Sequence, residues 1–180
     1  MTEDFLDVVE AKRFLGREFL TWLVYRAEEG GGRFEVDGDV IEITLGDRIL
    51  LEGGQDRSRL SIVGEGDVRP ELGAGLRRGK LTDRARIAIT RQERRWELVL
   101  DGGLLTYDSL KCPALGERDA ALADDPRATF ENDLFLRLAD VEEAVKVIDR
   151  LFAEFCRLRG GSAWSGRTLP ELRAWVDSLR

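Results

Sequence analysis

The residues with most chemical content form a run of cations. Between Arg77 and Arg95 lie Arg77, Arg78, Lys80, Arg84, Arg86, Arg91, Arg94 and Arg95 against only Asp83 and Glu93, so this segment carries +6 and the rest of a chain of −7 carries −13. A guanidinium offers a planar fork of donors that matches phosphate oxygens. In Arg84 to Thr90 a strand would set Arg84 and Arg86 on one face and Ala85, Ile87 and Ile89 on the other. All eight cations are therefore candidate nucleic-acid-binding residues. A plainer reading competes with this one: arginine far outnumbers lysine throughout the chain, so ordinary solvated faces would also carry arginine. The acidic total, with a pI of about 4.9, opposes non-specific attraction to phosphate, which leaves the distribution of charge to decide.

Other chemistries have less support. The chain contains no histidine, which removes histidine acid–base catalysis and histidine metal ligation. Ser58, Ser61, Ser109, Ser162 and Ser165 lack a GxSxG context, and none of the lysines stands at suggestive spacing for a serine–lysine pair. Gly73 to Lys80 invites a phosphate-loop reading, but the required first glycine falls on Ala74 and the required hydroxyl on Leu81. The acids Asp37, Asp39, Glu42, Asp47, Asp83, Glu97 and Asp101 could in pairs hold a metal or act as acid and base, but most of them fall at turns or solvent-side strand positions, where solvated charge is the better explanation. Leu98-Val99 follows Glu97 where a nuclease of the aspartate–glutamate–lysine type would place its lysine. Cys112 and Cys156 lack zinc or disulfide-framework spacing. We expect no catalytic residues, no metal and no cofactor.

These side chains need elements to hold them. Helical periodicity runs from Phe5 to Leu23, with Thr2 or Asp4 as N-cap, a break near Lys12 to Gly16, and a stop at Gly30-Gly31-Gly32. Alternation then takes over: Phe34 to Val36, an Asp37-Gly38 turn, Val40 to Leu45, a Gly46-Asp47 break, Ile49 to Leu51, and Arg59 to Val63. A short helix over Asp67 to Lys80 precedes two long strands around Arg84 to Thr90 and Trp96 to Leu100, and a further one over Leu104 to Leu110. Residues 112–127 read as a surface loop, and Phe130 to Leu138 fits strand and helix alike. A helix is expected from Asp140, with Asp140 and Glu143 as a cap-like start and Val145, Ile148, Phe152 and Phe155 in the core. A last helix follows from Thr168, with Glu171 completing a capping box.

The fold class is thus α+β: one domain over 1–180, helical over 1–29, mainly β over 33–110, a loop over 112–127 and helical over 140–180. An antiparallel meander packs against the N-terminal helix and the two C-terminal ones. No apolar stretch approaches membrane-spanning length, and Met1-Thr2-Glu3-Asp4 is unlike a signal peptide. We expect a cytoplasmic protein.

Four stretches in order resemble the carboxy-terminal half of the RdgC family of recombination-associated proteins. They are Phe14-Leu-Gly-Arg-Glu-Phe-Leu-Thr-Trp-Leu23, Leu76-Arg-Arg-Gly-Lys-Leu-Thr82, Arg95-Trp-Glu-Leu-Val-Leu-Asp-Gly-Gly-Leu-Leu105, and Leu151-Phe-Ala-Glu-Phe-Cys-Arg-Leu-Arg159 ending near Trp164. The resemblance implies non-catalytic, sequence-independent binding of double-stranded DNA in recombination or repair, by a protein of bacterial cytoplasm that forms ring-shaped homodimers. Family members carry a further amino-terminal half, and this chain begins close to the Phe14 motif, so a separate partner chain is an alternative to the homodimer. A protein-interaction subunit without nucleic-acid contact is the rival reading, and a metal-dependent nuclease the more distant one.

Overall fold

The computed structural model describes residues 5–54, 58–64, 68–116 and 125–179, with the backbone alone for 5–14. Its elements run α1 (Phe5–Glu29), β1 (Arg33–Val36), β2 (Asp39–Gly53), β3 (Arg59–Val63), α2 (Arg69–Arg77), β4 (Lys80–Arg91), β5 (Arg94–Asp101), β6 (Thr106–Lys111), α3 (Pro126–Gly160), a π-helical turn (Trp164–Thr168) and α4 (Leu169–Ser178). The architecture is α+β, as the periodicities predict.

The sheet has six antiparallel strands in the order β1-β2-β4-β5-β6, with β3 also pairing β2. It departs from a meander at one point: β3 leaves on the β1 side of β2, and α2 carries the chain back so that β4 pairs β2 directly. At the β1–β2 turn Asp37 and Gly38 both have positive φ, 53° and 85°, the geometry that a two-residue hairpin of this twist requires. Gly46-Asp47 does not end a strand. β2 runs through it as a register shift between Leu45 and Ile49 against β4.

One face of the sheet is covered and the other is wet, which is why alternation was so clear. On β4, Ala85, Ile87 and Ile89 are buried while Arg84 and Arg86 are exposed, and on β5 Trp96, Leu98 and Leu100 are buried. Over the covered face lies α1, in which every residue from Phe19 to Val24 is buried. Six consecutive buried positions go all the way round a helix, so α1 has packing on both sides. Thr21 ties it to the sheet by accepting the Thr82 backbone N–H at 2.8 Å. On its other side Phe19 meets Phe152 edge-on at 5.2 Å, Trp22 meets Phe155 at 5.6 Å, and Tyr25 meets Trp175 at 5.4 Å. Phe155 and Ile148 are core as expected, whereas Phe152 and Val145 are half-buried.

Helix boundaries moved more than strand boundaries. The expected caps Thr2 and Asp4 lie outside the described residues. α1 does not break near Gly16, and α2 is shorter than Asp67 to Lys80, because Lys80 already belongs to β4. α3 begins at Pro126, within the stretch expected to be loop, where Asp125 caps it by accepting the N–H groups of Arg127 and Ala128. Phe130 to Leu138 is therefore helical, and Asp140 is a buried mid-helix residue rather than a cap. Thr168 likewise makes no side-chain cap: it ends the π-helical turn, and α4 continues from it.

Gly16 is required by packing. A Cβ at this position would lie 2.1 Å from the Gly102 carbonyl oxygen and 2.9 Å from Leu105 side-chain carbons. Alanine in an open helix interior gains about 1 kcal/mol over glycine, but here the contact reverses the sign. Gly16→Ala should destabilise the protein, read as a lowered midpoint in urea unfolding. A raised midpoint would show that α1 and the β5–β6 turn do not meet at this distance.

Candidate nucleic-acid interface

The expected contiguous positive surface from Arg77 to Arg95 is not what the fold builds; the eight cations go to four separate places. Arg77, in the last turn of α2, donates to the carbonyls of Val176 and Leu179 at 2.9 and 2.7 Å, where the negative end of α4 favours a cation. Arg78 beside it is exposed and has no partner among the described residues. Lys80 is only 3% exposed, and its Nζ donates to Gly53 O, Ser58 O and Ser58 Oγ at 3.0, 2.8 and 2.8 Å.

Arg84, Arg86 and Arg95 do share the open face, but each meets an acid. Arg84 reaches Asp101 at 3.2 Å and Asp108 at 3.0 Å, Arg86 reaches Asp47 at 3.2 Å, and Arg95 lies 3.4 Å from Glu97. Arg91 and Arg94 turn toward α3 at the β4–β5 hairpin. Arg91 pairs with Asp39 and Glu143, and Arg94 pairs with buried Asp140 while its guanidinium lies 4.8 Å over the Trp96 ring.

The physical reason is strand register. Arg84 stands opposite Asp101 on β5, and Val99, opposite Arg86, stands opposite Asp108 on β6. Asp39, Asp47, Glu97, Asp101, Asp108, Asp140 and Glu143 all come from outside the basic segment, and they answer five of its cations, Arg84, Arg86, Arg91, Arg94 and Arg95. Each exposed pair is worth little, ~0–1 kcal/mol, and the pairs intersperse the two signs on the open face.

The remaining acids are accounted for in the same way. Asp37 faces Arg150 at 3.4 Å. Arg17 bridges Asp83 at 2.6 Å and Glu52 at 2.7 Å, and Glu42 is exposed. Among the described residues no group of three His, Cys, Asp or Glu is arranged to hold a metal ion. Burial pushes the Asp83 carboxyl above the usual aspartate range, and nearby Glu52 and Asp101 add to the rise. The short contact with Arg17 pulls the other way. Desolvation is the largest influence, so the net shift is upward.

Two arrangements escaped the sequence. Ser58 Oγ and Lys80 Nζ form a serine–lysine contact that no spacing announced. The same Nζ also donates to the Gly53 and Ser58 carbonyls, so it is held by several acceptors at once. The contact anchors a loop. The second is the first half of α3, where no residue from Pro126 to Ala139 is buried. Here the amphipathic order is inverted. Thr129, Asn132, Asp133 and Arg137 are half-buried, and Arg137 donates to the Pro113 carbonyl, whereas Phe130, Leu134, Phe135, Leu136 and Leu138 face solvent. The 4-4-3 spacing of Phe130, Leu134, Leu138 and Val141 was visible, but a short apolar run fits strand and helix equally.

An open cleft of about 680 Å³ between α1, α3 and α4 is lined by Arg26, Arg157 and Arg167 and by Glu29, Glu154 and Glu171 around Trp22 and Tyr25. Its charges balance, so it selects neither anion nor cation. No family model, no curated protein and no solved structure matches this chain.

Two measurements follow from this geometry. Replacing Arg84 and Arg86 together by alanine should leave duplex DNA affinity unchanged at two salt concentrations in an anisotropy titration. A phosphate interface on this face would instead lose affinity and flatten the slope of log K against log salt by about 0.9 per contact removed. For Asp83, a folded value raised above the unfolded one adds stability that is full below the ordinary aspartate value of about 4 and lost as pH rises through the folded value. The stability advantage of the natural protein over Asp83→Asn should therefore shrink with rising pH across that window in a urea series. An advantage that grows with pH would mean that Arg17 prevails.

Proposed function

We propose that this chain is a non-catalytic protein-interaction subunit that engages its partner through the first half of α3. One observation carries the reading. Phe130 and Phe135 are 68% and 69% exposed, on a helix whose polar positions turn toward its own body. Single exposed apolar residues are ordinary on protein surfaces, but a contiguous apolar patch marks an interaction site. The helix is also well held: Asp125 caps its start, Asp140 ties it to the β4–β5 hairpin, and Phe152 and Phe155 pack against α1. Burying a large apolar side chain yields about 1.5–3 kcal/mol, so a few such residues suffice for specific binding.

Sequence-independent DNA binding in recombination or repair, which the RdgC resemblance implies, remains the competing proposal and rests on the four resembling stretches. Those stretches contribute Phe19, Leu20, Trp22 and Leu23 from α1, Trp96, Leu98 and Leu100 from β5, and Leu151 and Phe155 from α3 to the core. Their residue pattern is therefore dominated by packing demands, and in the basic stretch within them Arg77 and Lys80 are the anchors to carbonyl groups described above. No helix among the described residues is long and apolar enough to cross a membrane, and the reading requires only an aqueous partner.

A photo-crosslinking residue placed at Phe135 in the intact chain should form adducts with polypeptide in cells, while the same residue at Glu42 on the open sheet face should not. Adducts to nucleic acid from a residue at Arg86, with none to protein from Phe130 or Phe135, would reverse the assignment.

A further inference from the structure

We infer that the occupant of the α3 stripe is a second copy of this chain, paired antiparallel about a two-fold axis at Leu134; the inference rests on the interaction reading above. The spacing of the stripe is self-complementary. Phe130 and Leu138 lie four residues on either side of Leu134, so an antiparallel copy sets Phe130 against Leu138 of the partner subunit and Leu134 against its own equivalent. At 100° per residue Phe130, Leu134, Leu138 and Val141 fall on one face, with Phe135 on its flank.

Charge selects the antiparallel orientation. Arg127 and Glu142 stand near the two ends of the stripe on the same flank, both exposed, and their present partners Glu131 and Lys146 lie only one helical turn away. Antiparallel pairing brings Arg127 near Glu142 of the partner subunit, twice by symmetry. Parallel pairing would set Arg127 against Arg127 and Glu142 against Glu142. A self-match of this kind needs nothing beyond the chain's own residues, as an isologous contact does.

The area is sufficient. At ~200 Å² for a fully exposed large side chain, the exposed parts of Phe130, Leu134, Phe135, Leu138 and Val141 amount to on the order of 550 Å² of apolar surface per copy. The polar rim, with Arg127 and Glu142, brings this toward the roughly 800 Å² per partner of a standard interface. Since Phe130, Leu134, Phe135 and Leu138 face solvent while Thr129, Asn132, Asp133 and Arg137 are the residues half-buried on this helix, two copies approach along the stripe without unfolding either.

Sedimentation or light scattering of the full chain between ~1 and ~100 μM should show a monomer–dimer equilibrium, micromolar affinity being ample for an interface at the small end of this range. Leu134→Glu sets two carboxylates face to face on the axis and should weaken association at least tenfold. Its thermal unfolding as a monomer should match that of the natural chain, since Leu134 is outside the core. Arg127→Glu alone should weaken the dimer by about threefold to tenfold, and adding Glu142→Arg should restore it. A chain that is monomeric at 100 μM, a Leu134→Glu variant that stays dimeric, or a double reversal that fails to restore affinity overturns the second-copy assignment. The broader reading has its own readout. Adducts from Phe135 to a different polypeptide leave it standing without the homodimer, and absence of any protein adduct removes both.

Discussion

Asp140 determines where α3 is part of the core and where it is not. A buried carboxylate is costly unless its charge and its hydrogen-bonding capacity are met, and this one is met by Arg94, with Arg137 one turn back at 3.7 Å. Its backbone carbonyl also accepts the Trp96 indole N–H at 3.0 Å. Side chain and main chain of one residue thus lock the helix onto the β4–β5 hairpin. C-terminal to that lock, Ala144, Val147, Ile148, Leu151 and Phe155 follow the core face in succession. N-terminal to it, the same helix projects with its apolar side outward. The exposed stripe is therefore a consequence of where the clamp sits, and a clamp one or two turns earlier would have drawn part of it into the body.

The second organising constraint is the use made of arginine. On the open sheet face Arg84 and Arg86 are answered by acids on neighbouring strands. At the hairpin Arg91 links Asp39 on β2 to Glu143 on α3, so a guanidinium joins two layers. Arg159 does the same between α3 and α1 through Glu18 at 2.7 Å. The branched, planar donor set of arginine suits such bridging between two acceptors better than the point charge of lysine does. The acidic total then describes what is left over after internal pairing rather than a surface of one sign.

Much of the fold was legible because the covered face and the wet face of the sheet impose strict alternation, as in Ala85, Ile87 and Ile89 against Arg84 and Arg86. The Asp37-Gly38 turn was legible for a local reason, positive φ at two consecutive residues. Helix starts were not. Asp140 with Glu143 has the spacing of a capping box, but the pattern does not say whether the preceding turn is absent, and here it is present. The true start, Asp125-Pro126, carries an equally good local signature that the surrounding alanine and aspartate obscured. The candidate site was legible in direction and illegible in partnership: alternation placed Arg84 and Arg86 outward, while the acids that answer them arrive from 17 to 39 residues away in sequence. A window of charge cannot see register.

The burial of Phe19 to Val24, all the way round α1, also bears on how the protein is made. Its sheet-facing side waits for β4 and β5, and its outer side waits for Phe152, Phe155 and Trp175, supplied by the last quarter of the chain. At a ribosomal rate of about 5–20 residues per second, the helix carrying Phe19, Trp22 and Leu23 is in the solvent for on the order of ten seconds before its final cover is synthesised. This part of α1 is thus made before either of the layers that shelter it. Throughout that interval Phe19, Trp22 and Leu23 lack their native cover, and apolar surface left open in this way is prone to aggregation.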